Sequence, residues 1–456
     1  MDYGIFIFRR DYRLYDNIGL NKLSEVTKHI SPIFIFDPKQ IDRHNNPYFS
    51  DNCVQFMIES LLELDEELKN KHNSGLSFMH GDPTDVLTKI HKKRPFKYLA
   101  FNMDVTPYSK YRDNLIEQWC KNNNVECIIS SDTTILPLSS VKTKSNEIYK
   151  VYTPYFNAAS TFDTPKPASL PSGITFEKPM KDGLKLKDLN KLYIPNNNVA
   201  VRGGRTNGLK ILNHLDAFKN YDTDRDSPFL KNTMLSAYLK FGCVSIREFK
   251  ESIVSKLGKS NGLFKQIYWR EFYYNIAYNF PHVFGSAFKE HYSSLKWDNN
   301  KEWFELWKNG NTGCPFVDAG MRELNETGFM HNRLRMVVSM FLTKDLLIDW
   351  RWGEKYFATK LVDYDPANNN GGWQWSASTG TDSQPYFRIF NPYTMMLRLD
   401  PKGEYTKKWL PELKDVPMKD LSNWETEYKK YPQIKYAKPV VSHSEQRLKA
   451  LDLYKR

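Results

Sequence analysis

Short apolar runs punctuate the first part of the chain. Residues 4–8 (GIFIF), 31–36 (SPIFIF), 98–102 (YLAFN) and 125–130 (VECIIS) are rich in Ile and Phe and read as strands. Between them lie stretches of helical period, clearest over residues 51–70, where Val54, Met57, Ile58, Leu61, Leu62 and Leu64 recur at helical spacings. Strands alternating with helices predict an α/β domain with a parallel, Rossmann-like sheet over residues 1–130. Residues 131–225 change character: Pro137, Pro154, Pro165, Pro167, Pro171, Pro179 and Pro195 break the pattern, and 196–198 is a run of asparagines. That stretch reads as a long, largely irregular connector, which in a compact protein usually carries a function. From about Leu230 strand signals fade and helical periodicity takes over, as in 267–277 and 331–350, predicting an all-helical domain over 226–456.

Composition sharpens this picture in three ways. The chain is 456 residues long, enough for two cores, and 14% of it is aromatic, which suits a pocket lined by rings. Lys and Arg number 65 against 53 Asp and Glu, a formal charge of +12 that favours a polyanionic partner such as nucleic acid. The five cysteines form no C-x-x-C pair, which argues against a disulfide framework and against a zinc or iron–sulfur site, so no metal is expected. Residues 1–11 lack a signal-peptide plan and no apolar run reaches membrane length, so the expected setting is intracellular, cytoplasmic or nuclear. Phosphate-loop, zinc-protease and serine-hydrolase motifs are missing.

The chemistry concentrates between Phe329 and Asn391. Gly328 can end one helix and residues 331–348 can form the next, with Asn332 and Met336 four apart on one face. Arg335 sits beside that face and can meet a carboxylate elsewhere. Further on, Asp363 and Asp365 flank a helix-breaking stretch, and three asparagines run into Gly371–Gly372, Trp373 and Trp375. The pattern allows a glycine turn with two core tryptophans, but so many Asn side chains are costly to bury without polar partners, which favours a ligand site.

Here the chain resembles the photolyase/cryptochrome family, and most closely its class I cyclobutane pyrimidine dimer photolyases. The resemblance runs nearly end to end: FRRDYRL (8–14) with Asp16-Asn17, YKVYTPYFN (149–157), LSAYLKFG (235–242), WREF (269–272), HNRLRM (331–336), NNGGWQW (369–375), RIFNP (388–392) and WLPEL (409–413) follow in order. The resemblance implies FAD, held in the helical domain by Tyr221, Thr233, Leu235, Ser236, Arg270, Arg335, Asp363, Asp365 and Asn369. Hydroxyls at a helix start suit phosphate, Asp363 is implied to pair with Arg335, and Asn369 to face the flavin N5. Trp373, Trp350 and Trp297 match an electron-transfer chain to the surface. Trp269 and Trp375 match the aromatics that hold a flipped-out dimer, with Gln266, Asn332 and Met336 around the lesion and Arg388 on the DNA backbone.

Two departures bear on the expected activity. Gln266 stands where class I dimer photolyases carry glutamate, a feature resembling (6-4) photolyases and animal cryptochromes; yet those (6-4) enzymes carry histidine at the positions of Asn332 and Met336. Tyr108 and Ser109 do not resemble a folate site, whereas Lys240 and Asp104 resemble the contacts of a deazaflavin-type antenna chromophore. The expectation is therefore a monomeric enzyme acting on damaged DNA, light-driven repair of cyclobutane dimers, with (6-4) repair or a cryptochrome-like photoreceptor as alternatives. Only about 43 residues follow Leu413, and an ending of that length tilts the expectation toward repair rather than signalling.

Overall fold

The computed structural model describes residues 3–230 and 232–455. They pack as two compact units: Met1–Asn196, Val201–Lys219 and Thr233–Pro281 make the first, and Asn197–Ala200, Asn220–Asn232 and His282–Arg456 the second.

The first unit is built on a parallel sheet of β1 (Tyr3–Phe8), β2 (His29–Phe36), β3 (Ser77–His80), β4 (Tyr98–Asn102) and β5 (Glu126–Ser130), in the order β3-β2-β1-β4-β5. A two-residue β6 (Thr175–Phe176) pairs with the start of β2, where β3 does not reach. β1, β2 and β4 are buried along nearly their whole length, which is why their sequences are almost continuously apolar rather than alternating. Each crossover is helical. Helices Asp51–His72, Pro83–Lys93 and Pro107–Asn122 start at the caps Ser50, Asp82 and Thr106, whose side chains accept from the first free N–H groups. The strand order reverses between β1 and β4, so a ligand crevice is expected beyond the carboxyl ends of those two strands.

The units do not follow the boundaries drawn from the sequence. The 131–225 stretch holds helices Tyr152–Ala159 and Arg205–Asn213 as well as β6, and Thr233–Pro281 joins the sheet unit. A buried ionic network explains the second point. Arg247 bonds Asp16 (2.9 Å) and Asp132 (2.7 Å), and Arg13 bonds Asp132 (2.6 Å), all nearly inaccessible to water. Removing one partner of such a network strands a buried charge. Much of the opening motif, Arg13 and Asp16 in particular, therefore holds the unit together.

The second unit is helical around a core that includes Trp307, Phe316, Leu334, Val338, Leu342, Trp350, Phe357 and Trp373. Helix Pro315–Thr327 ends on left-handed Gly328 (φ 67°), as the sequence suggested. The helix expected over 331–348 is shorter: it runs Asn332–Met340, widens into a π turn at Phe341–Asp345, passes through Leu347 at φ 51°, and restarts as Trp350–Lys360 under the Asp349 cap. The glycine pair 371–372 is likewise no turn but lies inside helix Pro366–Ser376. No helix among the described residues is long and apolar enough to cross a membrane.

Candidate functional site

In the second unit, three helices bring the expected residues into one neighbourhood. On helix Asn332–Met340 the Asn332 amide points to the Met336 sulfur at 3.9 Å on an exposed face. His331 caps this helix through a ring nitrogen that accepts from Arg333 N–H, and burial together with Arg333 and Arg335 pushes its pKa down to about 4, so it stays neutral. Arg335 is held by the Met330 carbonyl (2.8 Å) and grips Asp363 through one nitrogen, at 2.9 and 3.1 Å to its two oxygens. Asp365 caps helix Pro366–Ser376 by accepting from Asn368 (3.1 Å to the backbone N–H).

Asn369 donates its amide N–H to the Glu354 carbonyl at 3.1 Å, and its amide oxygen accepts no hydrogen bond among the described residues. Asn370 donates to the Glu354 carboxyl (3.0 Å) and the Val283 carbonyl (2.9 Å). Burial lifts that carboxyl to about 7. The asparagine run is thus satisfied mostly by its own unit. A Cβ added to Gly372 would meet nothing within 4 Å, so this helix borders open space.

The three tryptophans of the expected electron route share one core and grade outward. Trp373 and Trp350 are 2% and 3% exposed, and Trp297 is half-buried. Trp373 meets Phe357 edge-on (4.9 Å between centroids) and Trp307 (6.0 Å), and its ring lies directly over Gly353, while Trp297 touches Tyr454 (6.0 Å). Trp375, two residues past Trp373, is half-buried on another side of the helix. Arg388 is exposed and bonds only the Gln384 amide (3.2 Å), so its charge has no acidic partner among the described residues. Tyr221 opens the short helix Tyr221–Asp224.

The remaining expected residues lie in the first unit. Gln266, Trp269 and Arg270 fall three and four apart on helix Gly262–Asn279 and are half-exposed. The Trp269 ring stacks on Tyr152 at 3.7 Å and 9°, so one of its faces is already covered. Tyr152 lies inside the YKVYTPYFN motif, but nothing in the sequence assigns it this role. Arg270, expected on the cofactor, donates to the Thr133 carbonyl and lies over the Tyr274 ring at 4.5 Å. Met234 has φ 54°, Leu235 is buried, and no side chain caps the start of helix Ser236–Lys240, next to Thr233 and Ser236. At the β1/β4 crevice, Arg10 holds both antenna candidates, binding Asp104 (3.0 Å) and the Lys240 carbonyl (2.9 Å). Lys240 Nζ reaches Cys53 (3.5 Å) and Tyr108 is bonded to Asp37.

Comparison with known proteins settles which family this geometry serves. Residues 5–172 match the family model of DNA photolyase and residues 263–456 that of the FAD binding domain of DNA photolyase. A deoxyribodipyrimidine photo-lyase of Buchnera aphidicola (subspecies Acyrthosiphon pisum) is 35% identical, the match covering 100% of this chain and 97% of the relative. This chain belongs to the DNA photolyase family. Among solved photolyase-family structures, an archaeal photolyase from Sulfolobus tokodaii that holds two FAD molecules is 40% identical, with a TM-score of 0.89 and full coverage of both chains. A Synechocystis cryptochrome is 25% identical with a TM-score of 0.90, covering 99% of each chain. The residues of the second unit fit an FAD: open space at Gly372, an Asn369 side-chain carbonyl with no donor among the described residues and an Asp363 held by Arg335 supply room, an acceptor and an oriented carboxylate.

Proposed function

We propose that this chain is a light-driven DNA repair enzyme that splits cyclobutane pyrimidine dimers, a deoxyribodipyrimidine photo-lyase working as a monomer in an intracellular compartment. Bound FAD supplies the electron that light drives into the lesion. The protein supplies the rest. Asn369 offers its amide oxygen where a reduced, protonated flavin nitrogen can donate. Trp373, Trp350 and Trp297 pass oxidising equivalents outward. Trp269 and Trp375 stack the extruded bases, a recognition that reads damage rather than sequence. Arg388 meets the DNA backbone. At the β1/β4 crevice, Lys240 and Asp104 take a flavin-type antenna; the Sulfolobus relative with two FAD molecules supports a flavin there over a folate.

The observation that carries the choice of lesion is the pair Asn332 and Met336, side by side on an exposed helix face. Splitting the cyclobutane ring needs one electron delivered and returned, with hydrogen bonds to steady the added charge. Gln266 and Asn332 can donate those bonds, and Met336 adds a polarizable wall. Reversing a (6-4) product moves an oxygen between bases and calls for a group that shuttles a proton, as histidine can near neutral pH. Neither Asn332 nor Met336 can. The test is to irradiate both lesions with the reduced wild type and with Gln266→Glu, following restored thymine by chromatography. Dimer repair, kept or improved in Gln266→Glu, is the expected result. Repair of the (6-4) product would overturn it, and repair of neither lesion would make the protein a photoreceptor.

A further inference from the structure

A groove of about 450 Å³ lies within the first unit, between helix Pro83–Lys93 and the 177–184 segment, and none of the residues assigned above lines it. Its walls are held in place. Glu177 N–H donates to Ile30 (2.8 Å) and Leu184 N–H to Phe78 (2.6 Å), and Met180 N–H donates to the Ser77 hydroxyl (3.0 Å), so the segment is pinned along the edge of β2 and β3. The floor is apolar, formed by Met79, Val86, Ile90, Met180 and Leu184.

The rim is basic. Lys89, Lys93, Arg94 and Lys181 stand beside only two carboxylates, Glu177 and Asp182, while Lys178 lends its stem to the wall and gives its ammonium to Asn73 (2.8 Å to the side-chain oxygen). Both carboxylates reach across the groove, Asp182 to Lys93 and Glu177 to Arg94 (2.7 Å). Lys89 and Lys181 have no carboxylate partner among the described residues. Arg94 is further fixed over the Tyr3 ring at 4.0 Å, which orients its guanidinium before any ligand arrives.

We propose that this groove binds a nucleoside diphosphate. The volume falls in the usual range for small-molecule sites, roughly 300–1,000 Å³. Two methionines in the floor adapt to a flat base. The cationic excess at the rim suits a diphosphate, which competes with Asp182 for Lys93 through charge-assisted bonds. This assignment is independent of the repair chemistry, since it is read without light or DNA.

The experiment is calorimetric titration of the FAD-loaded protein with ADP, and separately with pyrophosphate and adenosine. ADP should bind one to one, more tightly than either half. The double variant Lys89→Glu/Lys181→Glu should lose at least tenfold in affinity, and Met180→Trp, which fills the floor, should abolish binding, both with flavin absorbance and thermal midpoint retained. Absence of ADP binding, or binding untouched by both variants, overturns the proposal. Pyrophosphate binding as tightly as ADP reduces the groove to an anion patch and also overturns it. Loss of ADP binding in Lys240→Ala instead would move the ligand to the β1/β4 crevice and overturn it equally.

Discussion

Two glycines on neighbouring helices carry opposite expectations. Gly353 lies in helix Trp350–Lys360 and Gly372 in helix Pro366–Ser376. Alanine in place of glycine in a helix interior gains roughly 0.5–1 kcal/mol by restricting the unfolded chain. At Gly372 an added methyl meets nothing within 4 Å, so Gly372→Ala should stabilise the cofactor-free protein by about that amount. At Gly353 the methyl would stand 2.1 Å from Cη2 of Trp373, 2.4 Å from its Cζ3 and 2.6 Å from Cδ2 of Leu342. Trp373 cannot retreat cheaply, because Phe357 and Trp307 already press on its ring. Overpacking of this kind costs about 1–3 kcal/mol, and contacts this short belong at the upper end, so Gly353→Ala should lose about 2 kcal/mol net. Urea unfolding followed by tryptophan fluorescence reads the two signs as opposite shifts of the midpoint. Gly353→Ala should also slow flavin photoreduction, because Trp373 must move. Gly372→Ala should weaken FAD uptake while stabilising the apoprotein, if the open space the methyl enters is the one proposed for the flavin. If Gly353→Ala raises the midpoint as Gly372→Ala does, the close packing of Trp373 is not real and the reasoning fails.

Other perturbations separate the remaining roles. Trp373→Phe should block photoreduction of oxidised flavin yet leave repair by chemically reduced enzyme largely intact; photoreduction at the wild-type rate would remove Trp373 from the route. Damaged-DNA affinity should fall with salt at a slope of about −0.9 per phosphate contact, with Arg388→Ala weakening damaged and undamaged duplex alike and Trp269→Ala mainly erasing the preference for damage. Equal loss of preference in both variants would contradict the assignments. Burial raises the Glu354 carboxyl from its ordinary 4.5 to about 7, so the folded state keeps this proton where the unfolded chain releases it. Its contribution is fully present below about 4.5 and is lost as pH rises towards 7, an upper bound of about 3 kcal/mol, and Glu354→Gln should flatten the stability profile over that window.

What the sequence disclosed and what it hid have physical reasons. β1, β2, β4 and β5 were visible because they are Ile- and Phe-rich runs of five residues or more, most of them inside the sheet. β3 was missed because it is four residues long and ends on polar His80, and β6 because two residues carry no period. The 331–348 segment kept a helical rhythm of apolar residues although its backbone widens at Phe341 and turns left-handed at Leu347, since periodicity reports which side chains are buried and not how the chain closes its hydrogen bonds. The attachment of Thr233–Pro281 to the sheet unit depends on charges far apart in sequence, Arg247 with Asp16 and with Asp132, and no local pattern announces them. At the site, the Arg335–Asp363 pair followed from family resemblance, but the stack of Tyr152 on Trp269 and the clasp of Arg10 on Asp104 arise from chain segments brought together only by folding.

The site residues divide by how completely their own unit satisfies them, and that division agrees with the chemistry proposed for each. Electron relay needs rings that keep their spacing and stay dry. Trp373 accordingly sits with no free volume beside Gly353, and the neighbouring polar groups are closed off by internal bonds, Asn370 to Glu354 and Val283, and Ser339 to Ser376 at 2.7 Å. Lesion recognition needs groups that lose little on leaving their partners. Arg388 holds one neutral amide, Asn332 has a weak sulfur contact, and the Gln266 side chain makes no hydrogen bond among the described residues. An incoming phosphate or pyrimidine carbonyl then replaces water or a weak contact rather than a strong internal bond, so binding energy is not consumed in breaking the fold. Trp269 combines both demands. Tyr152 fixes one face of its indole, and a ring held this way loses little conformational freedom when a base stacks on the other. Tyr152→Ala should therefore weaken recognition of damage almost as much as Trp269→Ala while leaving affinity for undamaged duplex near the wild-type value. An unchanged preference for damage in Tyr152→Ala would show that Trp269 needs no such support.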